Sequence, residues 1–234
     1  MLPHIKFADF NDLESVKRLI TKDTCAICLE TVQGEGGIYP ATKDFLAGIR
    51  QLCDEHEILM ISDEIQCGMG RSGEMFAYQT YGVTPDIVVS AKALGCGVPV
   101  GAIGTRGRAT GVLSAGDHGT TYGSNPLATA AVAAVFQLFE QYDVLANVRE
   151  MTAYLDHVLS DLAVRSKLIQ EIRGLGLMKG IELSVPAASY IKALQESGVI
   201  VIPSGTHVIR LLPPLILRKE HIDEFAFSFA KTLK

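Results

Sequence analysis

Short apolar runs separated by polar and glycine-rich stretches set the rhythm of the first half of the chain. Cys25 to Leu29, Ile58 to Ile61 and Ile87 to Val89 are each followed at once by polar or glycine-rich residues, as expected for strands buried on both faces of a parallel sheet. Between the first two, Phe45, Ile49 and Leu52 recur at helical spacing, which predicts a βαβ unit. Asn125-Pro126 predicts a helix start, because Asn caps free N–H groups and Pro fits the first turn, and the alanine-rich Leu127 to Phe139 follows. Past about Asp143 the texture changes: Val144 to Leu162 reads as helix, Gly176 to Leu183 and Val199 to Ile202 as strands, and Glu220 to Leu233 as a closing helix. These patterns predict an α/β protein with residues 1–143 in a large domain and 144–234 in a small C-terminal one. Met1 to Phe10 leads almost directly into a helix and a sheet strand, so the sheet has few strands to cover its flanks, and an upstream part is expected to be missing.

Composition narrows the function classes. The chain has 234 residues, 48% of them hydrophobic, enough for a sizeable core. A formal charge of −5 with no local run of Lys and Arg argues against nucleic acid as a partner. No stretch approaches the roughly 20 apolar residues that span a bilayer, and Met1 to Phe10 lacks a basic segment followed by an apolar core, so a cytoplasmic, non-membrane protein is expected. Five scattered cysteines fit a reducing compartment better than a disulfide framework. Cys25 and Cys28 form a C-x-x-C inside the apolar run CAICL, without a second pair, and read as buried strand thiols rather than metal ligands.

Chemistry is expected where apolar runs end, because ligands of open α/β sheets bind at the carboxyl ends of the strands. Glu30 to Glu35, Asp63 to Gln66, and Lys92 occupy such ends. An Asp and a Lys at neighbouring strand ends form either a structural ion pair or the two halves of a cofactor site. Pyridoxal phosphate needs that second arrangement: a Lys amine for a Schiff base, and an acid that keeps the ring nitrogen protonated. It also needs phosphate donors, and HGTTYGSNP, from His118 to Pro126, puts hydroxyls and backbone N–H groups just before a helix N-terminus. Gly68, Gly70 and Gly73 spell G-x-G-x-x-G. No clear helix follows them and no second βα unit presents an acid about 20 residues on, which speaks against a dinucleotide site; they read as loop glycines approaching the cofactor or another subunit.

The segment from Ile61 to Ala102, ISDEIQCGMGRSGEMFAYQTYGVTPDIVVSAKALGCGVPVGA, resembles the cofactor-lysine signature of class III pyridoxal-phosphate aminotransferases, of the acetylornithine/ornithine type. LETVQGEGGIYP, HGTTYGSNP and VIRLLPPLIL resemble further motifs of that family, in family order. The resemblance implies fold type I of the pyridoxal-phosphate transferases, a mostly parallel sheet with flanking helices plus a small α+β domain. It implies that Lys92 forms the Schiff base with the cofactor and shuttles the substrate proton, that Asp63 pairs with the pyridinium nitrogen, and that Gln66 bonds the phenolic oxygen. Thr121 matches the residue that reaches the phosphate in the neighbouring subunit, which makes the active site a property of a homodimer. Arg210 matches the clamp for a substrate carboxylate, and its planar fork suits that task; Glu35 matches its counter-ion.

The implied reaction is a ping-pong transfer of the δ-amino group of N-acetylornithine to 2-oxoglutarate, giving N-acetylglutamate semialdehyde and glutamate. The YGVTPDI and CGMGRSG context leans toward acetylornithine; ornithine, succinylornithine and 4-aminobutyrate are the alternatives. Gln66 and the arginine motif favour this branch over a glutamate-semialdehyde mutase. Arg173, Gly174 and Gly176 resemble a structural turn, and His118 carries no implied proton-transfer task. The departures are the absent upstream segment, which also leaves open a silent dimerising or complementing fragment, and Cys96 and Ser124 where the family commonly has glycine. Ser124 is strained wherever its φ is positive.

Overall fold

The computed structural model describes residues 3–233; Met1, Leu2 and Lys234, at the outer ends of the two expected domains, lie outside the described residues. The chain opens with helix α1 (Leu13–Leu19), strand β1 (Ala26–Glu30), the short ribbon strands β2 (Val32–Gln33) and β3 (Tyr39–Pro40), and helix α2 (Lys43–Glu55). Strands β4 (Leu59–Asp63), β5 (Ile87–Ser90) and β6 (Ala102–Thr105) follow, then helix α3 (Pro126–Gln141). The remainder is α4 (Val144–Arg165), β7 (Ile169–Leu175), β8 (Met178–Leu183), α5 (Ala188–Glu196), β9 (Ile202–Ser204), β10 (Val208–Leu211) and α6 (Lys219–Thr232).

The first sheet runs β1-β4-β5-β6, with the first two pairings parallel and β5–β6 antiparallel. Helix α2 is the predicted crossover. Thr42 caps it through the Phe45 N–H, and its buried face, Phe45, Leu46, Ile49 and Leu52, packs with Ile58 and Met60. Parallel pairing places Glu30 opposite Asp63 and Asp63 opposite Val89, so the polar residues after these strands arrive at one edge. Strand β6 is exposed throughout.

The second sheet, β7-β8-β10-β9, is antiparallel. Helices α4 and α6 cover it, burying Val148, Leu155 and Leu159 together with Leu177, Ile181, Ile209 and Phe229. The predicted strand at Gly176 starts at Met178, because Gly176 (φ +58°) turns the chain between β7 and β8. The strand predicted at Val199 to Ile202 starts only at Ile202, after Gly198 (φ +86°) has closed α5. The thiols of Cys25 and Cys28 are exposed rather than buried, because β1 is an edge strand among the described residues. No helix among the described residues is long and apolar enough to cross a membrane.

Candidate active site

Strand β4 ends in Asp63, and the turn after it is held by the next residue. Glu64 is fully buried. Its carboxylate accepts from the Ala77 N–H (2.7 Å), the Tyr78 N–H (3.0 Å), and the hydroxyls of Thr31 and Ser62 (3.1 Å each). Donors in that number let a carboxylate stay inside a protein. This anchor fixes the backbone on either side, where Asp63 accepts from the Ile65 N–H at 3.0 Å and Gln66 reaches the loop after β2.

That loop, Gly34 to Gly37, meets the second sheet. Arg210 on β10 is 7% exposed and donates through Nη1 to Glu35 Oε1 (2.6 Å), to the Gly34 carbonyl (2.9 Å) and to Gln66 Oε1 (3.3 Å). Gln66 Nε2 donates in turn to Glu35 Oε1 at 3.3 Å. The Arg210 bond, then the Gln66 bond, hold the Glu35 carboxyl below the usual carboxylate range, with a smaller contribution from the charge of Lys92. Arg210 Nε is buried without a partner among the described residues, so the guanidinium has unspent donor capacity. A Cβ at Gly34 would collide with the Gln66 amide, which accounts for glycine there.

Lys92 stands exposed at the start of a short 3₁₀ turn (Lys92–Leu94) after β5. Its φ of +51° is left-handed, a strained state for a residue with a side chain. Among the described residues no ion pair joins Lys92 to Asp63, so the structural-pair alternative is not what the fold builds. Lys92 lines a cavity of about 560 Å3 with Gly97, Val98, Pro99 and Val100. A neighbouring cavity of about 590 Å3, bounded by β5, β6 and α3, is mostly apolar and is lined by Ser90, whose buried hydroxyl has no partner among the described residues.

The fold thus brings Asp63, Gln66, Glu35, Arg210 and Lys92 to one sheet edge, and it leaves Thr121 apart. Thr121 is exposed on the loop ahead of α3, and among the described residues no hydrogen bond joins it to the other candidates. In the same region Ser124 (φ +55°) and Cys96 (φ +46°) both adopt the left-handed backbone that explains a preference for glycine. The glycines at 70 and 73 turn a loop that packs within this chain, Gly70 against Phe139 and Leu215 and Gly73 against Arg149. A carboxylate at one strand end, a lysine amine after the next and an arginine bonded to Gln66 and Glu35 nearby fit a cofactor that needs a ring-nitrogen partner and an amine link.

The family model described as Aminotransferase class-III matches residues 3–233. The chain belongs to the class III aminotransferases. Among its relatives, an acetylornithine aminotransferase of Methanocaldococcus jannaschii is 48% identical over 221 residues, covering 94% of this chain and 56% of the relative. A succinylornithine transaminase of Salmonella agona is 45% identical, covering 97% of this chain and 57% of the relative. The solved ornithine delta-aminotransferase of Plasmodium falciparum superposes with a TM-score of 0.93 at 32% identity, covering 100% of this chain and 62% of that one. This class III aminotransferase chain therefore spans less than two thirds of the length of these relatives. Two residues escaped the sequence reading: Glu64, whose one signal was its place between Asp63 and Gln66, and Ser204, which carried no sequence signal.

Proposed function

We propose that this chain holds pyridoxal phosphate and takes part in amino-group transfer from N-acetylornithine to 2-oxoglutarate. One observation carries the reading: the parallel register of β1, β4 and β5 delivers Asp63, Gln66 and Lys92 to the edge where Arg210 and Glu35 meet. The acetylornithine aminotransferase relative at 48% identity supports this donor, and the succinylornithine transaminases at 45% and the ornithine aminotransferase structure keep succinylornithine and ornithine as the alternatives, beside 4-aminobutyrate. Pyridoxal phosphate, when bound, supplies an aldehyde for amine exchange and a ring that disperses carbanion charge.

The chain's residues supply the rest. Asp63 would hold the proton on the ring nitrogen, since a carboxylate beside a cation favours the charged form of both. Gln66 would donate to the phenolic oxygen. Lys92 Nζ would link to the cofactor and afterwards move the proton at the substrate carbon. Arg210 would grip the distal carboxylate of 2-oxoglutarate once Glu35 withdraws, whereas a donor lacking that carboxylate leaves the pair closed. Thr121 would serve the phosphate of a second subunit, which makes the working unit a homodimer. The same reading divides the chain near residue 143, supported by separate apolar clusters on α2 and on α4 with α6, and places it in the cytoplasm, supported by its free thiols.

The test is an absorbance spectrum with pyridoxal phosphate, then borohydride reduction and mass analysis of the Lys92 peptide. A cofactor band with a reduced adduct on Lys92, absent from Lys92→Ala, is the expected result. A folded chain with neither band nor adduct would overturn cofactor binding by this chain and favour the silent or complementing reading.

A further inference from the structure

The loop that carries Glu35 is anchored from the far end of the chain. Ser204, the last residue of β9, is 3% exposed and pairs across the sheet with Val208, two residues before Arg210. Its Oγ accepts from the Gly37 N–H at 2.9 Å and lies 3.1 Å from both the Gly34 and the Glu35 carbonyls, to which its proton is donated. One hydroxyl thus holds the backbone on both sides of Glu35. Arg173 adds a bond from Nε to the Gly37 carbonyl at 2.7 Å.

The Glu35 side chain itself is 77% exposed and is gripped only at its tip, by Arg210 and Gln66. A long exposed side chain held at one end loses rotamer freedom for modest gain. Its position over Arg210 therefore depends on the backbone beneath it, and Ser204 is the hydroxyl that fixes that backbone.

We propose that Ser204 is a positioning residue that keeps Glu35 over Arg210 and so sets how strongly the site resists ligands bearing a distal carboxylate. The proposal rests on Arg210 being the carboxylate clamp. An incoming carboxylate must displace Glu35 from Arg210 Nη1, so its apparent affinity is the intrinsic affinity reduced by the fraction of sites in which Glu35 has already left. Removing the Ser204 hydroxyl strands the buried Gly37 N–H, takes a donor from the Glu35 carbonyl and leaves the Gly34 carbonyl to Arg210 alone, and the closed arrangement loses that support. The charge and the strand of Arg210 stay as they are. Loss of Ser204 therefore strengthens carboxylate binding, whereas damage to the clamp itself weakens it.

The experiment titrates glutarate, a dicarboxylate with no reactive group, into the whole chain by calorimetry, with and without pyridoxal phosphate. Ser204→Ala is expected to lower the glutarate Kd by about fivefold, the worth of one net hydrogen bond lost by the competitor. Glu35→Gln should lower it at least as much, and the double variant should gain nothing beyond Glu35→Gln, as expected for residues acting through one contact. Ser204→Thr, which keeps the hydroxyl, should retain the wild-type Kd and guards against a mere packing defect. An unchanged or raised Kd in folded Ser204→Ala, beside a lowered one in Glu35→Gln, would overturn the role of Ser204. Failure of Glu35→Gln to tighten binding, or no glutarate binding in any variant, would overturn the proposal together with the assignment of Arg210. Neither result touches the Lys92 adduct, which reports on the cofactor separately.

Discussion

Glu64 puts a carboxylate where neither solvent nor a cation among the described residues balances it, and hydroxyl and backbone donors take their place. Removing one partner of such a cluster costs more than any single bond contributed, because every donor is left unpaired. Glu64→Ala should therefore destabilise the fold by about 3 kcal/mol or more, read as a lower urea midpoint. Glu64→Gln should also destabilise it, since the amide N–H2 faces groups that are themselves donors. The sequence marked Asp63 to Gln66 as a polar strand end, but it could not tell which of these side chains turns inward. Lys92, Asp63, Gln66, Glu35 and Arg210 were legible because motifs name residues. Ser204 was not, because its partners lie 167 to 170 positions away in the chain.

Elements with a strong repeat were easiest to read. The apolar stripe of α2, the Asn125-Pro126 start of α3, and the long α4 and α6 all appear within a few residues of their predicted bounds. Asn125 Oδ1 accepts from the Ala128 N–H at 3.0 Å, as an N-cap should. Asn125→Ala is expected to cost about 1 kcal/mol, measured as a lowered thermal midpoint, and it would loosen the entry to α3 that follows the Thr121 loop. Strand β7 went unread because Gln170, Glu171 and Arg173 interrupt its apolar residues. That pattern belongs to an edge strand with one wet face, not to the buried parallel runs of the first sheet. The antiparallel β6, exposed along its length, escaped for a similar reason.

At the scale of the molecule, a few side chains tie the second sheet to the Gly34–Gly37 loop. Arg173 is buried, stacks over the Tyr39 ring at 3.9 Å, bonds the Gly37 carbonyl and pairs with Glu171 (2.6 Å) and Glu182. Arg173→Ala should cost about 2 kcal/mol, mostly through lost packing and an unpaired carbonyl, because Glu171 is half exposed and well screened. Denaturant unfolding measures that loss. The Lys92 adduct should survive in the variant, since Lys92 belongs to the first sheet.

The sequence by itself determined the family, the α/β alternation and the identity of the groups at the strand ends. Those properties are written in local order: an apolar run makes a strand, a helical stripe makes a crossover, and parallel pairing then aligns the polar residues at the strand ends. The tertiary structure alone decided that Gln66 bonds both members of the Glu35–Arg210 pair, that Glu64 faces inward, and that Ser204 holds the loop beneath Glu35. These contacts join residues more than 30 positions apart. Those of Arg210 and Ser204 depend on how two sheets meet, those of Glu64 and Gln66 on how the strand-end loops of the first half fold back together, and no local spacing along a chain encodes that geometry.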